Sequence, residues 1–529
     1  MLNRAEMPQR APRFAWDILA LFALPFAVYA FAPERFYPPL QHDSWLYHGC
    51  YIDLPAAQNL FANDYYSSRL TVTIPGWLMY SALPPIAANL VLHMLLYYVG
   101  VFSLFYIVTL AANRRAGLLA AVLLGGHGFY QMAIASDYTD GYGCVYHLLA
   151  LACGTRAATT TRWQGWAIAA GIAAAALVVA NLVYVVFVPG IVVHYLLVNR
   201  KHSTLTSAAL FVLGALGLIG ALGAFHSAIG GQFWFLAPSF TFAGKTSGAN
   251  VFKAPIASWL PHAVWLVLPA IAVLGSLVWC LFSRRGSAST VWFQIHLLLA
   301  VTSLAYLEST PQVSFLQNWF YATPLLVPLS MLALGTQWAD WLGRRSPRAY
   351  FTVAATAIPL FGIADFACSR YFRMANSQRK EIVESCRLNR CDALAPERPT
   401  TFLALHTAMQ DMQKLDPERL ALSWFDMDEP NSVLFDNLAC LNGWGLRMIN
   451  PCFPNIWGPV QGVTGTLLKV GQTIVVFSNN SNAEFAAKAS MATVGVKLEV
   501  VETRNTGAGE YRFAIILLRV ASVPAAVAP

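Results

Sequence analysis

Asp43, Asp53, Asp137, Asp140 and Glu308 lie in short polar segments between long apolar runs, and Arg69, Lys245 and Lys253 are cations in segments of the same kind. A carboxylate at the edge of apolar surroundings loses solvation of its charged form, so its pKa rises and it becomes a stronger base. Cations nearby can take up the negative charge that develops on a departing phosphate. Such a set suits transfer from a phosphate-linked donor to a hydroxyl or amine, a carboxylate accepting the acceptor's proton. His42 and His48 flank Asp43 and can orient it. Asp137 and Asp140 stand three residues apart in Ser136-Asp137-Tyr138-Thr139-Asp140-Gly141 and can contact either a metal or a substrate. Oxygen ligands of this type suit Mg2+ or Mn2+ rather than zinc.

Each residue also has a reading in which it only shapes the fold. Asp43 and Asp53 can cap interface helices, and Asp140 before Gly141 is a turn signal. Arg69, Lys245 and Lys253 can snorkel to the membrane interface. Glu308 stands at a helix end before Pro311, where it can support a neighbouring cation. His93, His147, His194 and His296 fall inside apolar runs and read as satisfied core histidines.

The apolar runs decide what must position these groups. The chain is 57% apolar and only 11% charged, with a mean hydropathy of +0.51. A soluble chain carries about 25% charge, so a soluble enzyme is excluded and a multi-pass membrane protein is indicated. Runs near the roughly 20 residues that a helix needs to cross the hydrocarbon fall at 15–32, 84–110, 116–134, 142–154, 164–180, 182–198, 205–225, 262–282, 290–307, 321–338 and 349–367, about eleven in all. The fifth and sixth can merge into one broken helix around Asn181. The first run can also be read as a signal peptide, with Ala30-Phe31-Ala32 resembling a cleavage site.

The formal net charge of +8 has the sign that nucleic acid attracts, but its distribution argues against that partner. Residues 1–369 carry 18 basic and 11 acidic side chains, and residues 370–529 carry 16 and 15. With the N-terminus inside, alternation puts 14 of the first group's cations in inner loops and 4, namely Arg35, Arg69, Lys245 and Lys253, in outer ones. That is the positive-inside pattern, so the basic excess reports topology and no nucleic-acid partner is implied.

Two units follow: a transmembrane domain, 1–369, including an outer loop at 33–83, and a soluble extracytoplasmic domain, 370–529. The 33–83 loop holds ten aromatic residues, a density that suits short helices lying in the interface. The tail reads as mixed α/β, with a helix at 400–415, strands at 472–478, 497–503 and 511–519, and a helix at 483–494. Cys386, Cys391, Cys440 and Cys452 suit one or two disulfides in an oxidising compartment. Three pairings are open, Cys386–Cys391 with Cys440–Cys452 being the local one. His406 is the tail's single histidine, and neither cysteine spacing suits zinc.

An aspartate just after the first span, in His42-Asp43-Ser44-Trp45-Leu46-Tyr47, a second acid in Asp137-Tyr138-Thr139-Asp140-Gly141, and an outer C-terminal domain together resemble the GT-C membrane glycosyltransferases. The branch in question includes the protein O-mannosyltransferases and the lipid A aminoarabinose transferases. The resemblance covers roughly residues 1–340. It implies an α-helical polytopic fold and a sugar taken from a polyprenyl-phosphate carrier to a lipid, glycan or protein acceptor at the non-cytoplasmic face. It further implies Asp43 as general base, generally with inversion at the anomeric carbon. By their charge and place, Arg69, Lys245 and Lys253 are candidate donor-phosphate contacts. The expected setting is a bacterial inner membrane with the C-terminal domain in the periplasm. The family's first-loop motif is often Asp-Glu, whereas Ser44 follows Asp43 and Asp53 stands ten residues later. Asp53 is therefore a second candidate for the base.

Two other classes compete. A transporter or lipid-carrier flippase would place ionisable groups near the bilayer midplane in related halves; here the acids gather at one face. A non-catalytic scaffold would leave them scattered.

Overall fold

The computed structural model describes residues 16–31, 36, 42–55, 58, 66–111, 114–126, 128–199, 204–241, 402–403, 406–407, 410, 420–425, 470–471, 473–478, 497–508 and 511–522. The expected spans from 262 to 367, the cysteine-bearing segments of the tail, Lys245, Lys253 and Glu308 lie outside these residues.

The described part of the membrane-like region is a helical bundle. Its helices are α1 (Trp16–Phe31), α2 (His42–Ile52), α3 (Leu70–Ala82), α4 (Pro85–Ala111), α5 (Arg114–Gly126), α6 (Gly128–Ala135), α7 (Thr139–Thr159), α8 (Trp163–Ala180), α9 (Val188–Val198) and α10 (Thr204–Ala228). Among the described residues, three helical stretches are long and apolar enough to cross a membrane: Pro85–Leu110, Trp163–Ala180 and Leu205–Ala228. Their outer faces are apolar too. Val91, Leu95 and Val99 form an exposed stripe at i, i+4, i+8 on α4, and Leu205, Val212, Leu213 and Leu216 are exposed on α10. A helix that is apolar all round needs a nonpolar surrounding on every side, so these stripes face lipid.

Two expected crossings differ in the structure. The run 116–134 is helical on both sides of residue 127, over α5 and α6. The short fourth run is the interior of α7, a helix of 21 residues packed against α4, α8 and α9; its glycines and histidine are tolerated because bundle neighbours, rather than lipid, surround them. The run 182–198 starts as a 3-10 turn, Leu182–Phe187, before α9. Asn181 makes that break: its backbone is extended, and its side-chain oxygen accepts from the Val183 N–H at 3.3 Å.

The crossing of α8 and α10 depends on glycine. A Cβ at Gly171 would overlap the carbonyl oxygen of Phe211, and one at Gly214 would overlap that of Ile168. Small residues let membrane helices approach closely where no hydrophobic effect drives them together. Gly171→Ala is expected to cost about 1–3 kcal/mol by overpacking and to lower the thermal unfolding midpoint of the detergent-solubilised protein. Gly165→Ala, at a position open around its Cβ, is the control that should not.

Beyond the bundle, four strands form a sheet of order β1-β2-β4-β3: β1 (Leu420–Phe425), β2 (Thr473–Ser478), β3 (Lys497–Ala508) and β4 (Tyr511–Ser522). The first pair is parallel and the other two antiparallel. Three of these strands lie where alternating apolar residues place them, though β3 and β4 run further than expected; β1 has no counterpart in the sequence reading. Of the expected 400–415 helix, residues 402, 403, 406, 407 and 410 are described and helical, and the expected helix 483–494 lies outside the described residues.

Candidate functional site

The outer loop and the second acidic turn meet in one buried polar cluster. The turn is tighter than its sequence suggests. Only Ser136, Asp137 and Tyr138 separate α6 from α7, and Asp140 falls in the first turn of α7 instead of in a loop. A carboxylate there faces the positive end of the helix dipole, and Asp140 accepts a 2.8 Å hydrogen bond from Tyr184. Asp137 has a φ of 50°, a left-handed conformation that aspartate adopts more readily than most residues. Tyr138 N–H donates to the Ser136 hydroxyl and closes the turn. Gly141 lets α7 lie against α6, since a Cβ there would overlap the Ala133 carbonyl.

The Asp137 carboxylate is 1% exposed, and imidazoles supply its surroundings. His93, on α4, places Nε2 2.8 Å from Asp137 Oδ1 and Nδ1 2.7 Å from the Phe36 carbonyl oxygen. Both partners accept, so the ring donates from both nitrogens and faces Asp137 as an imidazolium. His48 Nδ1 lies 3.7 Å from the other oxygen, Oδ2. Burial pushes the Asp137 carboxyl up, but the charge of His93 and the hydrogen bonding of His48 and His93 outweigh it and hold the pKa below the usual carboxylate range. Asp137 is therefore an ionised buried carboxylate.

His48 extends the buried cluster to the C-terminal part of the chain. Its Nε2 lies 3.0 Å from His406 Nδ1, and the edges of Tyr80 and Phe402 enclose the pair. Burial, then the neighbouring charge of His48, push His406 down to about 3. An unfolded histidine titrates near 6.5. Below that pH the unfolded chain binds a proton that the folded chain refuses, so stability falls by about 1.4 kcal/mol per unit until the pH approaches the folded value. Thermal midpoints between pH 6.5 and 5 should accordingly fall more steeply for the natural protein than for His406→Gln; equal slopes would sink this account.

Arg69 caps α3 and is 1% exposed, which rules out snorkelling. Its guanidinium donates to the Tyr47 hydroxyl and stands 5.7 Å from the Tyr47 ring centre. Tyr47 in turn packs edge-on against Tyr66 and Tyr138, at 5.5 and 5.7 Å between centroids. Since Tyr138 follows Asp137, these rings lock α2 against the acidic turn. A second tie runs through Gln58. Its Nε2 donates to Ser67 O at 2.9 Å, and its Oε1 lies 2.7 Å from His226 Nε2 at the end of α10.

Asp43 occupies the first turn of α2, one helical turn before Tyr47; the side chains of His42 and Asp43 lie outside what the structure describes. Asp53 is half-buried just past the end of α2, its N–H donating to Gly49 O at 3.3 Å. It stands between the end of α2 and the helical residues Leu54 and Pro55, so it precedes helical backbone as the sequence suggested. The structure thus brings Asp137, Arg69 and the α2 backbone of Asp43 into one region. His194 is a core residue bonded through Nε2, 3.2 Å from the Thr155 hydroxyl, which itself donates to Leu151 O. His93 is satisfied as well, yet by the very acid singled out as functional. A histidine in an apolar span was the available signal, but the sequence does not say which histidine meets which acid. His406, noted only for its isolation in the tail, joins the cluster without any local signal.

The two second-turn carboxylates do not fit a cation between them. Asp137 is turned to His93 and His48, and Asp140 to Tyr184. Among the described residues, no group of three or more His, Cys, Asp or Glu is arranged to hold a metal.

These features define an integral membrane protein with a buried cluster of acid, histidine and aromatic side chains. Within it, residues 85–224, from α4 into α10, match the dolichyl-phosphate-mannose-protein mannosyltransferase family. The match spans roughly a quarter of the chain and meets the GT-C resemblance carried by the loop motifs. Among solved structures, the archaeal oligosaccharyltransferase AglB from Archaeoglobus fulgidus, in complex with an inhibitory peptide and a dolichol-phosphate, is similar at 13% identity. It covers 91% of this chain and 71% of that one, with a TM-score of 0.48. The apo form of the Archaeoglobus fulgidus oligosaccharyltransferase gives 12%, 91%, 71% and 0.44, and its complex with Zn and sulfate 11%, 87%, 68% and 0.44. No curated protein sequence matches the chain.

Proposed function

We propose that this chain is a GT-C-type glycosyltransferase that moves a sugar from a polyprenyl-phosphate carrier to a lipid, glycan or protein acceptor on the non-cytoplasmic face of the membrane. The observation that carries the reading is the packing of α2, which bears Asp43, onto the Asp137 turn through Tyr47 and Tyr138, with the buried guanidinium of Arg69 against the same tyrosine. Outer loop and second acidic turn thereby form one site. The family matched at 85–224 is described by a lipid-phosphate sugar donor, which favours a carrier of that class.

In this reading the acceptor's hydroxyl or amine gives its proton to the Asp43 carboxylate as its oxygen or nitrogen attacks the anomeric carbon. The bond from that carbon to the phosphate oxygen breaks, and the electron pair leaves on the phosphate. A single displacement of this kind inverts the anomeric centre. Arg69, with Lys245 and Lys253 from the third outer loop, takes up the leaving group's charge. Asp137 is held anionic by His93 and fixes the geometry of the turn. Asp53 is the alternative base. The site faces the periplasm of a bacterial inner membrane, with residues 370–529 on the same side.

The test is transfer by the purified, lipid-reconstituted protein from a panel of polyprenyl-phosphate sugars, followed by mass spectrometry of released polyprenyl phosphate. Release that depends on both protein and acceptor supports the reading. Absence of release across the panel, together with movement of the intact carrier between leaflets, would point to a flippase instead.

A further inference from the structure

Residues 229–241, which follow α10, contain no charged side chain. We propose that this segment folds back into the membrane interface at that end of α10, with Phe233, Trp234 and Phe240 among the lipids, and that it thereby sets the depth of Arg69. The lipid contact stands on geometry alone; its use, to hold Arg69 at the level of a carrier phosphate, rests on the reading above.

The fold-back is built into the end of α10. Gly230 has a φ of 94°, the left-handed conformation that closes a helix and that glycine takes without strain. Gly231 N–H donates to His226 O at 2.8 Å, and the His226 ring donates from Nδ1 to the Gln232 carbonyl oxygen. The chain then runs back beside the helix it has left, since a Cβ at Gly223 would overlap the Phe233 carbonyl oxygen and press on its ring. Gly223 stands five residues before Ala228, so Phe233 lies about 7.5 Å back along the helix axis. The crossing Leu205–Ala228 has 24 residues and is about 36 Å long, which exceeds roughly 30 Å of hydrocarbon by about 6 Å. Even with all of that excess at this end, Phe233 stands at the hydrocarbon edge and not in water.

Burial sorts the side chains to match. Phe233, Trp234 and Phe240 are 55, 57 and 53% exposed. They continue the exposed edge of α10 that runs through Leu213, Gly217, Ala221, Ala224 and Ala228, the face already assigned to lipid. Three rings in water would carry the cost of apolar hydration, whereas aromatic rings concentrate at membrane interfaces. The backbone needs little water there. The Phe233 carbonyl lies against α10, Ala237 N–H donates to Trp234 O, Phe240 N–H to Leu236 O, and the Thr241 hydroxyl to Ala237 O.

The inner face fastens the segment around Arg69. The Ser239 and Ser68 hydroxyls share a hydrogen bond at 3.3 Å, Phe235 and Leu236 pack on Leu70, and Gln58 links His226 to Ser67. Arg69 is thus held through neighbours on both sides, and the depth of the segment becomes the depth of the guanidinium. A polyprenyl tail stays in hydrocarbon while its phosphate stays at the edge, which is where this arrangement presents the cation.

The full-length protein, grown with fluorotryptophan and placed in lipid nanodiscs, is read by fluorine NMR, the variant Trp234→Phe identifying the signal of Trp234. That signal is expected to broaden at least as strongly with lipid carrying a nitroxide near its headgroup as with a water-soluble gadolinium chelate. Gly223→Ala, which displaces Phe233, is expected to shift its response towards the chelate, and Gly217→Ala, open around its Cβ, is not. Broadening chiefly by the chelate overturns the proposal, as does broadening by neither agent, which would mean that protein covers the ring. Equal responses of the two glycine variants would overturn the fold-back. In the transfer assay, Phe233→Ser with Trp234→Ser is expected to raise KM for the carrier-linked sugar by roughly tenfold, the worth of a charge-assisted hydrogen bond to phosphate, with kcat retained. Unchanged KM would remove the role in setting Arg69. Should Trp234 meet lipid while the natural protein transfers no sugar, the lipid contact stands and the glycosyltransferase reading fails.

Discussion

Asp43→Asn is expected to abolish sugar transfer while leaving the protein inserted and folded. The two effects separate because their magnitudes differ. A carboxylate in the first turn of a helix contributes about 0.3–1 kcal/mol through the helix dipole, so α2 should tolerate an isosteric amide at its start. Removing a general base costs about 100- to 10,000-fold in rate. The amide has the size of the carboxylate but cannot take the acceptor's proton. Rates from the reconstituted assay, beside thermal midpoints of the same preparations, check this. Asp43→Glu, which retains a carboxylate at a displaced position, should keep partial activity. If Asp43→Asn transferred at near the natural rate and Asp53→Asn did not, the base would be Asp53.

The largest expected loss of stability comes from separating Asp137 and His93. Removing one partner of a buried ion pair costs about 3–5 kcal/mol, because the other charge is left without compensation. Asp137→Asn is the informative variant. Asparagine also accepts the left-handed backbone at this position, so the loss reports charge and not strain. Asp137→Ala adds strain at the same φ and should lose more. In a double-mutant cycle, Asp137→Asn with His93→Gln should fall short of the summed single losses by about 1.5 kcal/mol or more, within the range found for buried contacts. Additivity within about 0.5 kcal/mol would mean that the two side chains are not coupled as their 2.8 Å separation implies. The sign with pH follows from the lowered pKa of Asp137. Its contribution is present above the unfolded carboxylate value near 4 and is lost as pH falls through the folded one.

Much of the architecture is legible along the chain because lipid imposes a simple rule: each crossing must be apolar for its whole length. The spans at Pro85–Leu110, Trp163–Ala180 and Leu205–Ala228 stand where their apolar runs place them. Departures occur where helices meet other helices instead of lipid. The short fourth run, with Gly143 and His147, becomes the buried α7, and Asn181 ends α8 with a side-chain oxygen that accepts the Val183 N–H. In the tail, β2, β3 and β4 announce themselves by alternation, whereas β1 gains its place through parallel pairing with β2, a long-range contact with no local signature.

Asp137, Asp140 and Arg69 could be singled out because charge is costly in an apolar chain and persists only where something compensates it. The sequence thus determined that the chain belongs in a membrane, where several of its helices cross, and which few charged residues needed an explanation. It could not determine the partners. That His93 on α4 and His48 on α2 meet at Asp137, and that His406, hundreds of residues further on, meets His48, was decided by tertiary packing alone. The physical reason is that hydropathy acts residue by residue along the chain, whereas compensation of a buried charge depends on which side chains the fold brings within about 3–4 Å.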